Sequence, residues 1–187
     1  PTWRPLGDYR ESVSAVSSLG GGVLLELSHE IDYLQFIFGP IQWVSAWFAQ
    51  QSSLDIDVED TAFLTFGFEQ STSGKMVAQL NLDFVRQDRT RSITAICENG
   101  TLRWDGILGL VEKYVPASEG WQTIFQESGE PSTYHSEFNY FLESIKGNEP
   151  PFSTVNDGLA VLRVIEAARK SNTLDGARII LSEKADV

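Results

Sequence analysis

The residues able to do chemistry gather in one stretch, ELSHEIDYL, from Glu26 to Leu34. Helical spacing sets Glu26, His29 and Asp32 along one edge, with Tyr33 close by. A histidine with carboxylates three residues before and three after it can have its tautomer and orientation fixed. Such a side chain can pass a proton to or from a hydroxyl or carbonyl oxygen near neutral pH. The plainer reading is a helix edge whose imidazole makes ordinary polar contacts beneath a loop. The only other histidine is His135, in STYHSEFNYF, and it reads as a packing residue at a helix start. Neither histidine lies in HExxH or another zinc-ligand pattern, so no metal is expected. The opening PTWRPLGDYR supplies Trp3, Arg4, Tyr9 and Arg10. These could form a lid in which Arg4 or Arg10 holds an anionic or polyol group, or they are ordinary surface-loop residues.

Other signatures are weak or missing. The sequence has no GxGxxG, GxxxxGK[ST] or GxSxG. Gly20, Gly21 and Gly22 precede a helix, but without a following lysine and hydroxyl they are a poor phosphate loop. Cys97 has no histidine near it in sequence and reads as a buried strand residue. As the single cysteine it excludes an internal disulfide framework and a multi-cysteine metal site.

The elements that must position the His29 cluster are legible. Val23, Leu24, Leu27, Ile31, Leu34 and Ile37 form an apolar stripe, so a helix is expected from Val23 to the stop at Gly39 and Pro40. Before it, Ser12 to Val16 suggests a short strand. The middle of the chain reads as strands at 41–50, 61–69, 75–85, 91–98, 101–104, 108–114 and 121–125. The turns SGK at Ser73 to Lys75 and NG at Asn99 and Gly100 favour hairpins, hence antiparallel pairing. In 75–85, Met76, Ala78, Leu80 and Leu82 share a face opposite Lys75, Gln79, Asn81 and Asp83, which asks for helices on one side of the sheet. Two helices follow. One is expected over 134–146 with a stripe of Phe138, Phe141, Leu142 and Ile145. The other is expected over 157–170, with Leu159, Leu162, Ile165 and Ala168 packing and Val164 on the flank. Ser153 or Thr154 is placed to cap it. A strand at 177–181 joins a sheet edge.

At 187 residues the chain has room for its own core, and the elements read as one α+β domain. With 14 basic against 26 acidic side chains the net charge is -12, which argues against nucleic acid and anionic membranes as partners. No apolar run is long enough to span a bilayer, and the first ten residues lack a signal-peptide layout. A cytoplasmic setting is expected.

The stretch GGVLLELSHEIDYLQFIFGPI, Gly21 to Ile41, resembles the start of the C-terminal domain of the Gfo/Idh/MocA family, the glucose–fructose oxidoreductase and inositol dehydrogenase group. WRPLGDYR resembles the loop before it in sugar-modifying members. FLESIKGNEPPFSTVNDGLAVLRVIEAARKS, Phe141 to Ser171, is similar to the family's closing two-helix segment. The resemblance covers nearly all of the chain.

That resemblance implies an open, mostly antiparallel mixed β-sheet with helices packed on one face, like the C-terminal domains of dihydrodipicolinate reductase and glyceraldehyde-3-phosphate dehydrogenase. It implies that residues 1–187 are the substrate-binding and oligomerisation domain of a longer oxidoreductase, whose N-terminal Rossmann domain is absent here. The implied chemistry is hydride transfer between a sugar, sugar derivative or polyol and NAD or NADP, which the missing domain holds. His29 matches the family histidine that shares proton handling with a lysine of the Rossmann domain, and Asp32 matches the carboxylate of its HxxD pattern. Many dehydrogenase members carry an aspartate four residues before the histidine. Here that position is Leu25, and the nearest carboxylate is Glu26. The departure fits the branch acting on modified or nucleotide-linked sugars better than inositol dehydrogenase. The chain by itself is expected to be inactive, and to form a homodimer or homotetramer through the sheet face. The alternative is a non-catalytic sugar-binding or regulatory relative of the same family.

Overall fold

The computed structural model describes residues 7–68, 76–117, 119–127 and 133–181. In chain order, three 3-10 turns lead into α1 (Val23–Glu26) and α2 (His29–Phe38), then β1 (Ile41–Ala49), β2 (Thr61–Phe68) and β3 (Met76–Asp83). Four further strands follow, β4 (Ser92–Cys97), β5 (Gly100–Asp105), β6 (Leu110–Tyr114) and β7 (Gln122–Gln126). The chain closes with α3 (Thr133–Ile145), α4 (Val155–Thr173) and β8 (Ile179–Ile180). The α+β class holds. Among the described residues the strands divide between two four-stranded sheets, β3-β2-β1-β8 and β4-β5-β6-β7, and every ladder is antiparallel. The chain forms two compact units, Pro1–Arg86 with Ser153–Val187, and Gln87–Phe152.

The first unit holds the core. Leu24 and Ile31 from the helical segment, Val44 from β1, Phe66 from β2 and Ile165 from α4 are all fully buried. Alternation along β2 puts Ala62, Leu64 and Phe66 on the helix side, as strand geometry requires. The strand expected at Ser12 to Val16 is instead part of the 3-10 turns Tyr9–Glu11, Val13–Ala15 and Ser17–Leu19. Asp8 caps the first by accepting from the Arg10 amide at 3.1 Å. Successive amides then bond three residues back, as Ala15 does to Ser12 at 3.0 Å, which satisfies the backbone without a partner strand.

The helix expected from Val23 is broken at Leu27 and Ser28. The amides of Ser28 and Glu30 reach back only three residues, to Leu25 and Leu27, and a new helix begins at His29. The buried stripe survives the break, because Val23, Leu24, Ile31 and Leu34 all stay in the core. At the far end Gly39, at φ 86°, closes α2 with its amide on the Gln35 carbonyl.

Helix α4 lies along β1. Thr154 caps it in a reciprocal box with Asp157. Its core face is Val161, Val164, Ile165, Ala168 and Ser171. This corrects the expected packing set. Val164 is buried rather than flanking, while Leu159 and Leu162 are half exposed. Ser171 decides the rotation. Its hydroxyl donates to the Ala177 carbonyl at 2.6 Å and accepts from the Ala46 amide at 2.9 Å, tying the helix to β1 and to the turn before β8.

On the other face of this sheet, Trp43 lies flat across Gly67, where any Cβ would overlap the indole. The Arg178 guanidinium sits 4.1 Å from the Trp43 ring centroid. Trp47 and Phe63 pair on the same face, and both remain about half exposed.

The second unit is a meander. Cys97 pairs with Gly100 across a turn at Glu98 and Asn99, the hairpin expected there. The SGK turn lies outside the described residues. Cys97 is exposed rather than buried, since it sits at the strand end beside that turn. In α3, Phe138, Phe141 and Ile145 are also exposed. The expected stripe is present in sequence, but no described element covers it. Among the described residues no helix is long and apolar enough to cross a membrane.

Candidate functional site

The break after α1 puts His29 at the first position of α2. Its side chain is 54 % exposed, and Nε2 lies 3.2 Å from Oε1 of Glu30, whose side chain is only 10 % exposed. Glu30 is therefore a close carboxylate neighbour of the ring, which stands open to solvent. Asp32 is one turn along, beside His29, on the same cleft.

The cleft has a volume of about 530 Å³ and runs between α2 and α4. Ser28, His29 and Asp32 form its polar wall, and Val155, Leu159 and Leu162 the opposite one. Gly158 of α4 also faces it, and a Cβ there would meet nothing within 4 Å, so the space is open. The misassigned leucines of α4 thus belong to this wall rather than to the core.

Glu26 does not line the cleft. Its Oε2 accepts from the hydroxyl of the buried Ser14 at 2.8 Å, which fastens α1 to the preceding turns. The helix break separates it from His29, so the edge expected from continuous spacing is not formed. Tyr9 and Arg10 also lie elsewhere. The Tyr9 hydroxyl accepts from the Asp55 amide at 3.1 Å. Arg10 pairs with Asp8 and, at 3.6 Å, with Asp55. Hydrogen bonds from Arg10 lower the Asp8 carboxyl to about 2. Trp3 and Arg4 lie outside the described residues. His135 is exposed on α3.

The triple glycine serves packing. A Cβ on Gly21 would fall 2.5 Å from the Val13 carbonyl oxygen, and one on Gly22, at φ 106°, would overlap the Glu59 carboxylate. Glu59 accepts from the Leu24 amide at 3.1 Å through Oε1, and its own carbonyl accepts from Val23 at 3.1 Å. A carboxylate thus already fills the place a phosphate would take. The residues present do not fit a dinucleotide cradle. Among the described residues no group of three or more His, Cys, Asp or Glu could hold a metal. Sequence reasoning missed the role of Glu59, whose partners are set by three-dimensional packing rather than by any local motif, and passed over Glu30, the sequence neighbour of His29.

A histidine and an aspartate on an open cleft, at the start of the helix that follows GGVLLELS, invite comparison with known proteins. The profile of the oxidoreductase family's C-terminal alpha/beta domain, GFO_IDH_MocA_C, matches residues 12–175. The chain belongs to the Gfo/Idh/MocA oxidoreductase family. Solved structures similar to this Gfo/Idh/MocA domain include the WlbA dehydrogenase from Bordetella pertussis in complex with NADH and UDP-GlcNAcA. That match has a TM-score of 0.69 at 23% identity and covers 94% of this chain and 50% of the other. The aldose-aldose oxidoreductase from Caulobacter crescentus, complexed with glycerol, matches with a TM-score of 0.76 at 18% identity, over 94% of this chain and 52% of that one. GenD2 from gentamicin A biosynthesis, in complex with NAD, gives 0.71 at 22% identity, over 91% and 51%. This chain therefore spans about half the length of the structures it resembles. No curated protein matches the sequence significantly.

Proposed function

We propose that this chain is the substrate-binding and oligomerisation domain of a longer NAD(P)-dependent oxidoreductase acting on a sugar, sugar derivative or polyol. The observation that carries the reading is the exposed imidazole of His29 beside Asp32 on a cleft with an apolar opposite wall. A sugar has hydroxyl edges and C–H faces. The hydroxyls suit His29, Asp32 and Ser28, and a C–H face suits Leu159 and Leu162. The matched structures support the class, since one contains NADH with a nucleotide sugar and another NAD.

In this reading NAD or NADP supplies hydride chemistry from the remainder of the longer protein. This chain's share is to orient the substrate and to exchange a proton between its hydroxyl and His29. Asp32 holds the neighbouring hydroxyl in place. The chain alone is then inactive, and the setting is cytoplasmic.

The test is His29→Ala in the longer protein. Turnover should fall by about 10²-fold or more, the usual scale for a lost acid–base group, with the far-UV circular dichroism unchanged. Unchanged kinetics against the wild-type substrate would remove His29 from the reaction.

A further inference from the structure

We infer that Gly158 is a specificity-determining residue of the cleft: its missing side chain lets the C–H face of a closed sugar ring rest against the backbone of α4, opposite His29 and Asp32. The inference rests on the reading of this cleft as the sugar site. Gly158 is the only glycine inside an α-helix among the described residues. Nothing within the chain requires it. Its amide donates to the Thr154 carbonyl at 3.2 Å and its φ is not positive, so its backbone is ordinary helix. A Cβ there would meet nothing within 4 Å, whereas at Gly21, Gly22 or Gly67 it would overlap a neighbour. A helix interior favours alanine, because glycine gives up more backbone freedom on folding. Gly158 therefore costs stability and relieves no clash inside the chain.

Its place in α4 supplies the reason. Val155, Leu159 and Leu162 all line the cleft, and position 158 lies among them at helical spacings of three, one and four. A side chain at 158 would project into the same space, toward Ser28, His29 and Asp32. Gly158 is thus a notch in an apolar ridge that faces a polar wall. A closed sugar ring fits that pair of walls, since one of its faces is C–H and its edge carries hydroxyls. An open-chain polyol turns hydroxyls to every side and would leave some against the ridge without partners, which costs free energy. A methyl group at 158 would take up the clearance that the ring needs.

Two measurements test this. In the 187-residue chain, Gly158→Ala should raise the melting temperature by about 2–4 °C, as loss of a helix glycine does at this size. A fall would mean that the glycine serves the fold, and overturns the inference. In the longer protein, a panel of pyranoses and the matching alditols is followed by NAD(P)H absorbance, and a pyranose should be the better substrate. Gly158→Ala should lower its kcat/KM at least about tenfold, mostly through KM, and change that of the alditol by less than about threefold. Preference for an alditol, equal losses for both, or kinetics indifferent to Gly158→Ala overturns the inference. So does a Gly158→Ala that stabilises this chain but destabilises the longer protein, because the notch would then be filled by the remainder of that protein. Lost turnover in His29→Ala beside unchanged Gly158→Ala kinetics sinks this inference alone, while intact turnover in His29→Ala sinks the functional reading.

Discussion

Asp60 has no exposed surface, and its carboxylate accepts from the Gln51 and Ser52 amides and from the hydroxyls of Ser52 and Thr61, at 2.5 to 3.0 Å. Burial alone would raise this carboxyl. The donors outweigh burial and hold it below the ordinary aspartate range. A carboxyl lowered by folding adds stability above its unfolded pKa, about 4, and loses it as pH falls through the folded value. Asp60→Asn turns an acceptor into a donor against these groups and should cost about 1–3 kcal/mol at neutral pH. Acid unfolding monitored by tryptophan fluorescence should also become less steep, and an unchanged acid limb would show that Asp60 does not set it. Nothing in the local text DVED marks Asp60 above its neighbours. Its partners come from the turn between β1 and β2, which only the hairpin brings back.

Helix α4 carries two apolar arcs. One is Val155, Leu159 and Leu162, and the other Val161, Val164, Ile165 and Ala168. Periodicity finds both without saying which meets the sheet. Ser171 breaks the tie, since its hydroxyl bridges the Ala46 amide and the Ala177 carbonyl while fully buried. Ser171→Ala would leave the Ala46 amide buried without that acceptor. It should cost about 1–3 kcal/mol in urea unfolding, more than a surface serine would. A change within about 0.5 kcal/mol would mean that apolar packing alone sets the helix. The same rotation turns Leu159 and Leu162 to the cleft, so the tie that holds the core also shapes the wall facing His29.

Across the whole molecule, the sheet face bearing Trp43, Trp47, Phe63 and Val77 is the surface proposed for homodimer or homotetramer assembly. Trp47 and Phe63 leave a paired aromatic patch exposed there, the kind of surface that marks an interface. Light scattering should find at least a dimer, and Phe63→Glu should return it to monomer with its circular dichroism intact. A wild-type monomer would turn the proposal down. The sequence by itself determined the α+β class, the seven middle strands and both long helices, because period-two and period-3.6 patterns, glycine stops and caps are local. It also determined the family and singled out His29 and Asp32, because the motif that carries them is contiguous. Only the tertiary structure decided that the helix breaks before His29 and that Glu26 belongs to Ser14. It also decided which arc of α4 faces the cleft. These outcomes depend on contacts between segments distant in sequence, where a one-residue change of helical phase of about 100° moves a side chain from core to cleft.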